Sequence, residues 1–121
     1  MTDAELTDAL SGAEELEVLT TGRHSGTAHS VRVWFAYDGE VIWLRTDRAA
    51  DWLRNLEREP RCRIRVGTIE RAARREPVVD EGAALRHIVD LWREKYGREW
   101  VSDWYVERGR VPVKLVLETE R

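Results

Sequence analysis

The sequence has one cysteine and no long run of apolar residues. Cys62 has no cysteine partner in the 121 residues, which excludes an intrachain disulfide and a multi-cysteine metal site. No apolar stretch approaches the roughly 20 residues of a membrane-spanning helix. The acidic first ten residues also lack the basic and then apolar order of a signal peptide. We therefore expect a cytoplasmic protein with no membrane span.

Lysine is scarce, and arginine carries nearly all of the positive charge. Only Lys95 and Lys114 among the 20 basic residues are lysine. Twelve arginines and seven acids lie between residues 21 and 75, although the whole chain has a net charge of -3. Because planar guanidinium groups suit bidentate contacts with phosphate and carboxylate, this arginine block predicts an anionic partner. The alternative is that these arginines lie on solvated faces of the fold.

The length and the hydrophobic periodicity predict one domain, residues 1–121, built mainly of β-strands. Helical spacing indicates a short N-terminal helix, a helix over 47–59 capped by Asp47 or Thr46, and a longer helix from Asp80 to Gly97. Alternating apolar residues account for the rest, as about six strands. This content favours a small antiparallel β-barrel with two or three helices packed outside.

An Asp-Gly dipeptide at 38–39 predicts a tight hairpin between two apolar strands. A two-residue loop at this point pairs Trp34 with Trp43 and Arg32 with Arg45. Like charges directly opposite one another destabilise a strand pair, so we expect an anion to compensate. Tryptophans beside guanidinium groups would suit a planar anionic ligand. Alternatively, both tryptophans pack beneath the long helix or in a dimer interface, and the arginines reach solvent.

A helix start and a glycine-flanked turn are further candidates for binding an anion. The predicted helix begins near Arg48, where free backbone N–H groups and the positive end of the helix dipole favour negative charge. The turn at 22–26 supplies Arg23, His24 and Ser25 as additional donors.

The sequence offers little for catalysis by side chains alone. His24 and His29 have no third ligand at metal spacing, so no metal site is expected. Cys62 alternates with arginines on a strand and is expected to point, unreactive, into the core. Serine hydrolase and P-loop patterns are missing. If the protein is an enzyme, the chemistry therefore belongs to a bound cofactor.

Several segments together resemble the deazaflavin-dependent nitroreductase and quinone reductase family. They are Leu-Thr-Thr-Gly-Arg-His-Ser-Gly at 19–26, residues 31–35, the Asp-Gly at 38–39, and Ala-Asp-Trp-Leu-Arg-Asn-Leu at 50–56 followed by Pro60. The family belongs to the split β-barrel flavin-binding superfamily, which also contains the pyridoxamine phosphate oxidases. The resemblance implies a homodimeric split barrel that holds coenzyme F-420 in a groove at the dimer interface. It also implies hydride transfer to a small-molecule substrate such as a quinone or nitro compound.

The resemblance further implies which residues surround the cofactor. The turn after the first strand and the segment leading into the second helix would hold the phosphate end, and the second strand would approach the ring. The residues at these positions are Arg23, His24, Ser25, Gly26, His29, Arg32, Trp34, Thr46, Arg48, Ala49, Ala50 and Trp52. Trp104 and Tyr105 are the candidates for a substrate pocket. No residue is identified as the proton donor.

Departures from the sequence pattern of the family leave more than one cofactor as a candidate. Family members usually have lysine or arginine where His24 stands, often arginine where His29 stands, and many have proline at Arg32. The two lost permanent charges leave flavin mononucleotide (FMN), or a ligand such as haem, as alternatives to coenzyme F-420. The alternative functions are an FMN-dependent pyridoxamine phosphate oxidase-like enzyme and a non-catalytic flavin or deazaflavin carrier. Net negative charge and scarce lysine disfavour a nucleic-acid binder.

Overall fold

The computed structural model describes residues 3–97 and 110–118, which form seven strands and three helices. The helices are α1 (Asp3–Gly12), α2 (Asp51–Arg58) and α3 (Glu81–Tyr96). The strands are β1 (Glu15–Thr21), β2 (Ala28–Trp34), β3 (Ala36–Tyr37), β4 (Val41–Asp47), β5 (Arg61–Val66), β6 (Ile69–Glu76) and β7 (Arg110–Leu117). They pair antiparallel in one sheet of order β2-β1-β5-β6-β7-β4-β3.

The sheet curls because its two edge strands are joined through a single residue. β2 and β3 lie at opposite edges of the sheet, yet only Phe35 separates them in the chain, and its side chain is fully buried. The predicted mainly β fold with outer helices is confirmed, with seven strands because the chain breaks at Phe35. The side chains in the core that are at most 1% exposed include Val18, Ile42, Leu44, Leu56, Ile64, Val66, Val113 and Leu115.

Helix α3 packs on the outer face of the sheet. Its predicted ends are confirmed: the Asp80 carboxylate accepts a hydrogen bond from the Ala83 N–H at 3.0 Å, and Gly97 follows the last residue with φ of 96°. None of the described helices is long and apolar enough to cross a bilayer. The cluster beneath α3 consists of Ala36, Ile88, Val89 and Trp92, with Trp34, Trp43, Leu91 and Tyr96 packed against it. Packing of both tryptophans beneath the long helix, one of the two alternatives, is therefore confirmed.

The predicted register of the hairpin is wrong. β3 pairs with β4 two residues out of the expected register, with Ala36 facing Trp43. The Asp38 carboxylate accepts hydrogen bonds from the N–H groups of Glu40 at 3.0 Å and Val41 at 2.9 Å. The Asp38 N–H also donates to the Val41 carbonyl at 3.3 Å. These bonds move the two-residue loop one position further along the chain.

The expected contact between Arg32 and Arg45 does not occur, because β2 pairs with β1 and β4 pairs with β3 and β7. Arg32 faces Glu17 on β1, with 3.4 Å between Nη2 and Oε1. Arg45 faces Pro112, and its guanidinium carbon lies 5.7 Å from the centroid of the Trp92 ring. Opposite charges now face each other across β1 and β2, which stabilises the pair. The argument that an anion must compensate two facing arginines therefore fails.

Helix α2 begins later than predicted, at Asp51 and not at 47, with Ala50 as its N-cap. Asp47 is the last residue of β4, where it faces Arg110 of β7 and forms an ion pair with it. This pairing keeps Asp47 in the sheet and occupies the carboxylate that was expected to cap the helix. Arg48 consequently lies in the turn before the helix and not in its first turn.

Candidate functional site

One cavity lies between the turn at 22–26, β2 and the start of α2. Its volume is about 470 Å³, within the range of small-molecule sites. The walls of the cavity come from different elements, because the turn connects β1 to β2 whereas α2 follows β4. The lining residues are Gly22, Arg23, His24, Ser25, His29, Ser30, Val31, Asp51, Trp52 and Asn55.

Arg23 is held in a fixed position at the cavity wall by the start of α2. Its Nη1 donates to Asn55 Oδ1 at 2.9 Å, and its Nη2 lies 3.1 Å from Asp51 Oδ1. The side chain is only 23% exposed. A guanidinium held in this way presents its remaining donors without a large loss of side-chain entropy when an anion binds.

Asn55 links the turn to the barrel, and sequence reasoning did not identify it. It is 5% exposed, and its Oδ1 accepts from the backbone N–H of Arg23 at 3.2 Å as well as from the guanidinium. Its Nδ2 donates to Thr20 Oγ1 at 3.1 Å. The available signal was a polar residue on the apolar face of a helix, three positions after Trp52 and next to Leu56. A buried amide in that position needs hydrogen-bond partners, which here are supplied by the turn.

Replacing Asn55 by alanine should lower the free energy of unfolding by about 1 to 2 kcal/mol. The substitution removes the donor to the hydroxyl oxygen of Thr20, which is 2% exposed, and the acceptor of the backbone N–H of Arg23. Urea denaturation measures the loss. The matched control is Arg54→Ala on the exposed face of the same helix, which should change stability by less than about 0.5 kcal/mol. Equal effects of the two substitutions would contradict a structural role for Asn55.

Gly22 allows the turn to close tightly against β2. A Cβ atom at this position would lie 2.7 Å from His29 Nε2 and 2.9 Å from Ser25 Oγ, so a side chain there would displace both groups. Thr27 Oγ1 lies 2.7 Å from Ser25 Oγ and 3.4 Å from His29 Nε2. The turn therefore holds hydroxyl and imidazole groups together along one wall of the cavity.

Five of the predicted site residues line this cavity, and the others lie elsewhere. Trp34 stacks on Tyr96 with ring centroids 4.1 Å apart, beneath α3. Arg48 extends to Glu81, with 3.0 Å between Nη2 and Oε1 and a side chain that is 64% exposed. The residues that line the cavity are Arg23, His24, Ser25, His29 and Trp52. Gly26 lies in the same turn but does not line the cavity. Arg32 lies on β2 beside Glu17, Thr46 lies on β4, and Ala49 and Ala50 lie just before α2. Trp104 and Tyr105 lie outside the described residues.

Most of the arginine block does not form one anion site. On β5 and β6 the guanidinium groups pair with neighbouring acids, for example Arg63 and Arg65 with Glu70 at 2.6 Å and 2.9 Å. Arg23 is the one arginine among the described lining residues of the cavity, and Asp51 opposes its charge. The inference that clustered arginines hold a polyanion therefore does not apply to the paired arginines of these strands, whereas Arg71 on β6 is only 7% exposed.

The side chain of Cys62 is buried, as predicted. The residue is 8% exposed and faces the barrel core on β5. Burial raises the pKa of the thiol to about 12, and the Glu118 carboxylate adds to the increase. The thiolate, which is the nucleophilic form, is therefore scarce near neutral pH, and Cys62 belongs to the packing of the barrel.

A protein-family model and several solved structures match this chain. A protein-family model described as F420H(2)-dependent quinone reductase matches residues 1–118. Curated proteins gave no match. Among solved structures, a conserved hypothetical protein from Mycobacterium tuberculosis is 28% identical with a TM-score of 0.71, and the match covers 98% of this chain and 82% of that one.

Two more distant solved structures share the fold. One described as an F420 reductase is 18% identical with a TM-score of 0.72, covering 93% of this chain and 92% of that one. The haem storage protein HutZ from Vibrio cholerae is 15% identical with a TM-score of 0.76, covering 98% of this chain and 91% of that one. These similarities confirm the predicted split-barrel fold.

Proposed function

Because this chain belongs to the F420H(2)-dependent quinone reductase family, we propose that it transfers a hydride between coenzyme F-420 and a quinone, nitro compound or similar small oxidant. The observation that carries the proposal is the convergence of two segments on one cavity. These are the turn at 22–26, to which the family resemblance assigned the phosphate end of the cofactor, and the start of α2, where Trp52 is the one member of the second assigned segment that lines the cavity. The homodimer and the cytoplasmic location stay predictions.

The residues of the cavity fit the phosphate end of an anionic ligand. Arg23 supplies a fixed guanidinium, and the hydroxyl of Ser25 and the imidazoles of His24 and His29 add polar groups to the lining. The N-cap of α2 is alanine, which has no side-chain acceptor, and the carboxylate of Asp51 lies in the first turn at the positive end of the helix. These groups bind and orient the phosphate end.

The charge of the cavity also limits the ligand. Arg23 is already paired with the carboxylate of Asp51, so a bound phosphate shares a guanidinium that is partly neutralised. One such contact supports binding of a single phosphate more than binding of a long acidic tail. This balance keeps FMN as the alternative cofactor. The bound deazaflavin or flavin supplies the hydride, while the half-buried indole of Trp52 provides an apolar wall that limits access of water.

Turnover of reduced coenzyme F-420 by the purified chain tests this function. With menadione or a nitroaromatic as oxidant, we expect a protein-dependent return of the visible absorbance of the oxidised deazaflavin. The same assay with reduced FMN is the matched control and should be slower. Tight binding without turnover over several oxidants would identify a carrier in place of an enzyme. No binding of either cofactor at about 100 μM would overturn the proposal.

A further inference from the structure

The permanent charges of the candidate cofactor cavity cancel, which leaves its net charge to two imidazoles. Arg23 and Asp51 are the one guanidinium and the one carboxylate among the described lining residues, and they form an ion pair at 3.1 Å. His24 and His29 are the remaining titratable groups of that lining. Histidine is the side chain that ordinarily changes its charge between about pH 5 and 8. The lining is therefore neutral when both rings are neutral and positive when either ring is protonated.

Both imidazoles are accessible to a ligand in the cavity. His24 lies in the turn at 22–26, and His29 is the second residue of β2. Both residues are exposed, so a proton can reach either ring from solvent. His29 Nε2 lies 3.4 Å from Thr27 Oγ1, and it would lie only 2.7 Å from a Cβ atom at Gly22. Glycine at position 22 therefore leaves space for the ring of His29 at the cavity wall.

The third histidine of the chain has different surroundings. His87 lies on α3, where its Nε2 is 3.4 Å from Asp38 Oδ2, and it does not line the cavity. Within the part of the chain that the structure describes, neither His24 nor His29 forms an ion pair with a carboxylate. A protonated imidazole gains more from a bound anion where no carboxylate already compensates its charge. The two imidazoles of the cavity are therefore the histidines that respond to an anionic ligand.

We propose that His24 and His29 make binding of the phosphate end proton-dependent, so that the site binds its ligand more tightly as the pH falls from about 8 to about 6. This inference rests on the proposed function for the identity of the ligand. An anion in the cavity stabilises the charged form of each imidazole, so the rings take up protons from solvent when the ligand binds. By linkage, the affinity rises wherever the complex holds more protons than the free protein, and it falls as the rings lose these protons at higher pH.

Titration with coenzyme F-420 at several pH values between 6 and 8 compares the native protein with the double variant His24→Gln, His29→Gln. Glutamine keeps a polar side chain but takes up no proton in this range. The ratio of the native affinity to the variant affinity should rise at least about fivefold from pH 8 to pH 6. A ligand group that titrates affects both proteins alike, so its effect cancels in this ratio. His87→Gln is the matched control, for which the corresponding ratio should stay within about twofold.

Sodium sulfate is a second probe, which separates this inference from the proposed function. Sulfate has the tetrahedral shape of phosphate and stays a dianion over the whole range, and its binding is followed by the amide NMR signals of the turn at 22–26. A ratio for the coenzyme that does not change with pH would overturn the inference, even if the coenzyme binds and turns over. If the coenzyme does not bind at all, the proposed function fails and sulfate decides. Tighter binding of sulfate at pH 6 by the native protein than by the double variant supports the inference, whereas equal binding overturns it.

Discussion

Replacing Arg23 by alanine should weaken binding of coenzyme F-420 by about 1.5 to 3 kcal/mol, or roughly ten- to 150-fold in affinity. Arg23 is the one arginine among the described residues that line the cavity, and its side chain is only 23% exposed. The substitution removes a charged hydrogen-bond donor and leaves the Asp51 carboxylate without its partner. The cavity wall then repels a phosphate. Titration of the purified protein with the coenzyme, followed by fluorescence or calorimetry, measures the change.

Arg48→Ala is the matched control for Arg23→Ala. Arg48 also belongs to the arginine block and lies close to α2 in the sequence, but its guanidinium pairs with Glu81 and does not line the cavity. Its removal should leave the affinity for the coenzyme within about twofold. Arg23→Lys keeps the charge but loses the planar fork, so an intermediate affinity is expected. Equal losses for Arg23→Ala and Arg48→Ala would show that general electrostatics, and not this cavity, governs binding.

The periodicity of apolar residues in the sequence predicted those strands and helices that bury one apolar face in the core. Val18 on β1 and Ile64 on β5 face each other in the barrel core, an orientation that follows from the alternation of apolar residues along each strand. The ends of α3 were also predictable, because Asp80 and Gly97 are side-chain and backbone signals that act within one turn. Such features depend on neighbours in sequence, so a single sequence contains them.

The hairpin prediction failed because strand pairing is decided by the whole sheet. The Asp-Gly dipeptide correctly indicated a turn, but it does not reveal that the chain leaves one sheet edge at Phe35 and joins the other. Pairing β2 with β1 places Arg32 opposite Glu17, whereas the expected pairing placed it opposite Arg45. Opposite charges and a continuous core favour the observed arrangement.

The candidate site was predictable only in part, for a related reason. The glycines at 22 and 26 identified the turn, and the turn does supply Arg23, His24 and Ser25 to the cavity. Counting arginines without their partners overestimated the positive charge, because acids such as Glu70 neutralise the guanidinium groups on β5. The acids come from adjacent strands, so the neutralisation is visible only once the register is known.

Replacing Phe35 by alanine should have the largest effect on stability, a loss of about 3 to 5 kcal/mol. The side chain is fully buried where β2 passes to β3, and its ring also contacts the Lys95 ammonium. Since domains of this size are stable by only about 5 to 15 kcal/mol, the variant should unfold at much lower urea concentration or not fold at all.

Two variants keep the Phe35 prediction testable if the alanine variant does not fold. Phe35→Leu retains most of the buried volume and should cost less than about 2 kcal/mol. Tyr37→Phe removes only the hydroxyl that donates to the Gly39 carbonyl at 3.0 Å and should cost less than about 1 kcal/mol. The order of stability in urea should therefore be Tyr37→Phe above Phe35→Leu above Phe35→Ala. If Phe35→Ala were as stable as Tyr37→Phe, the loss of the Phe35 ring would leave no costly cavity. The ring would then not stabilise the connection between β2 and β3.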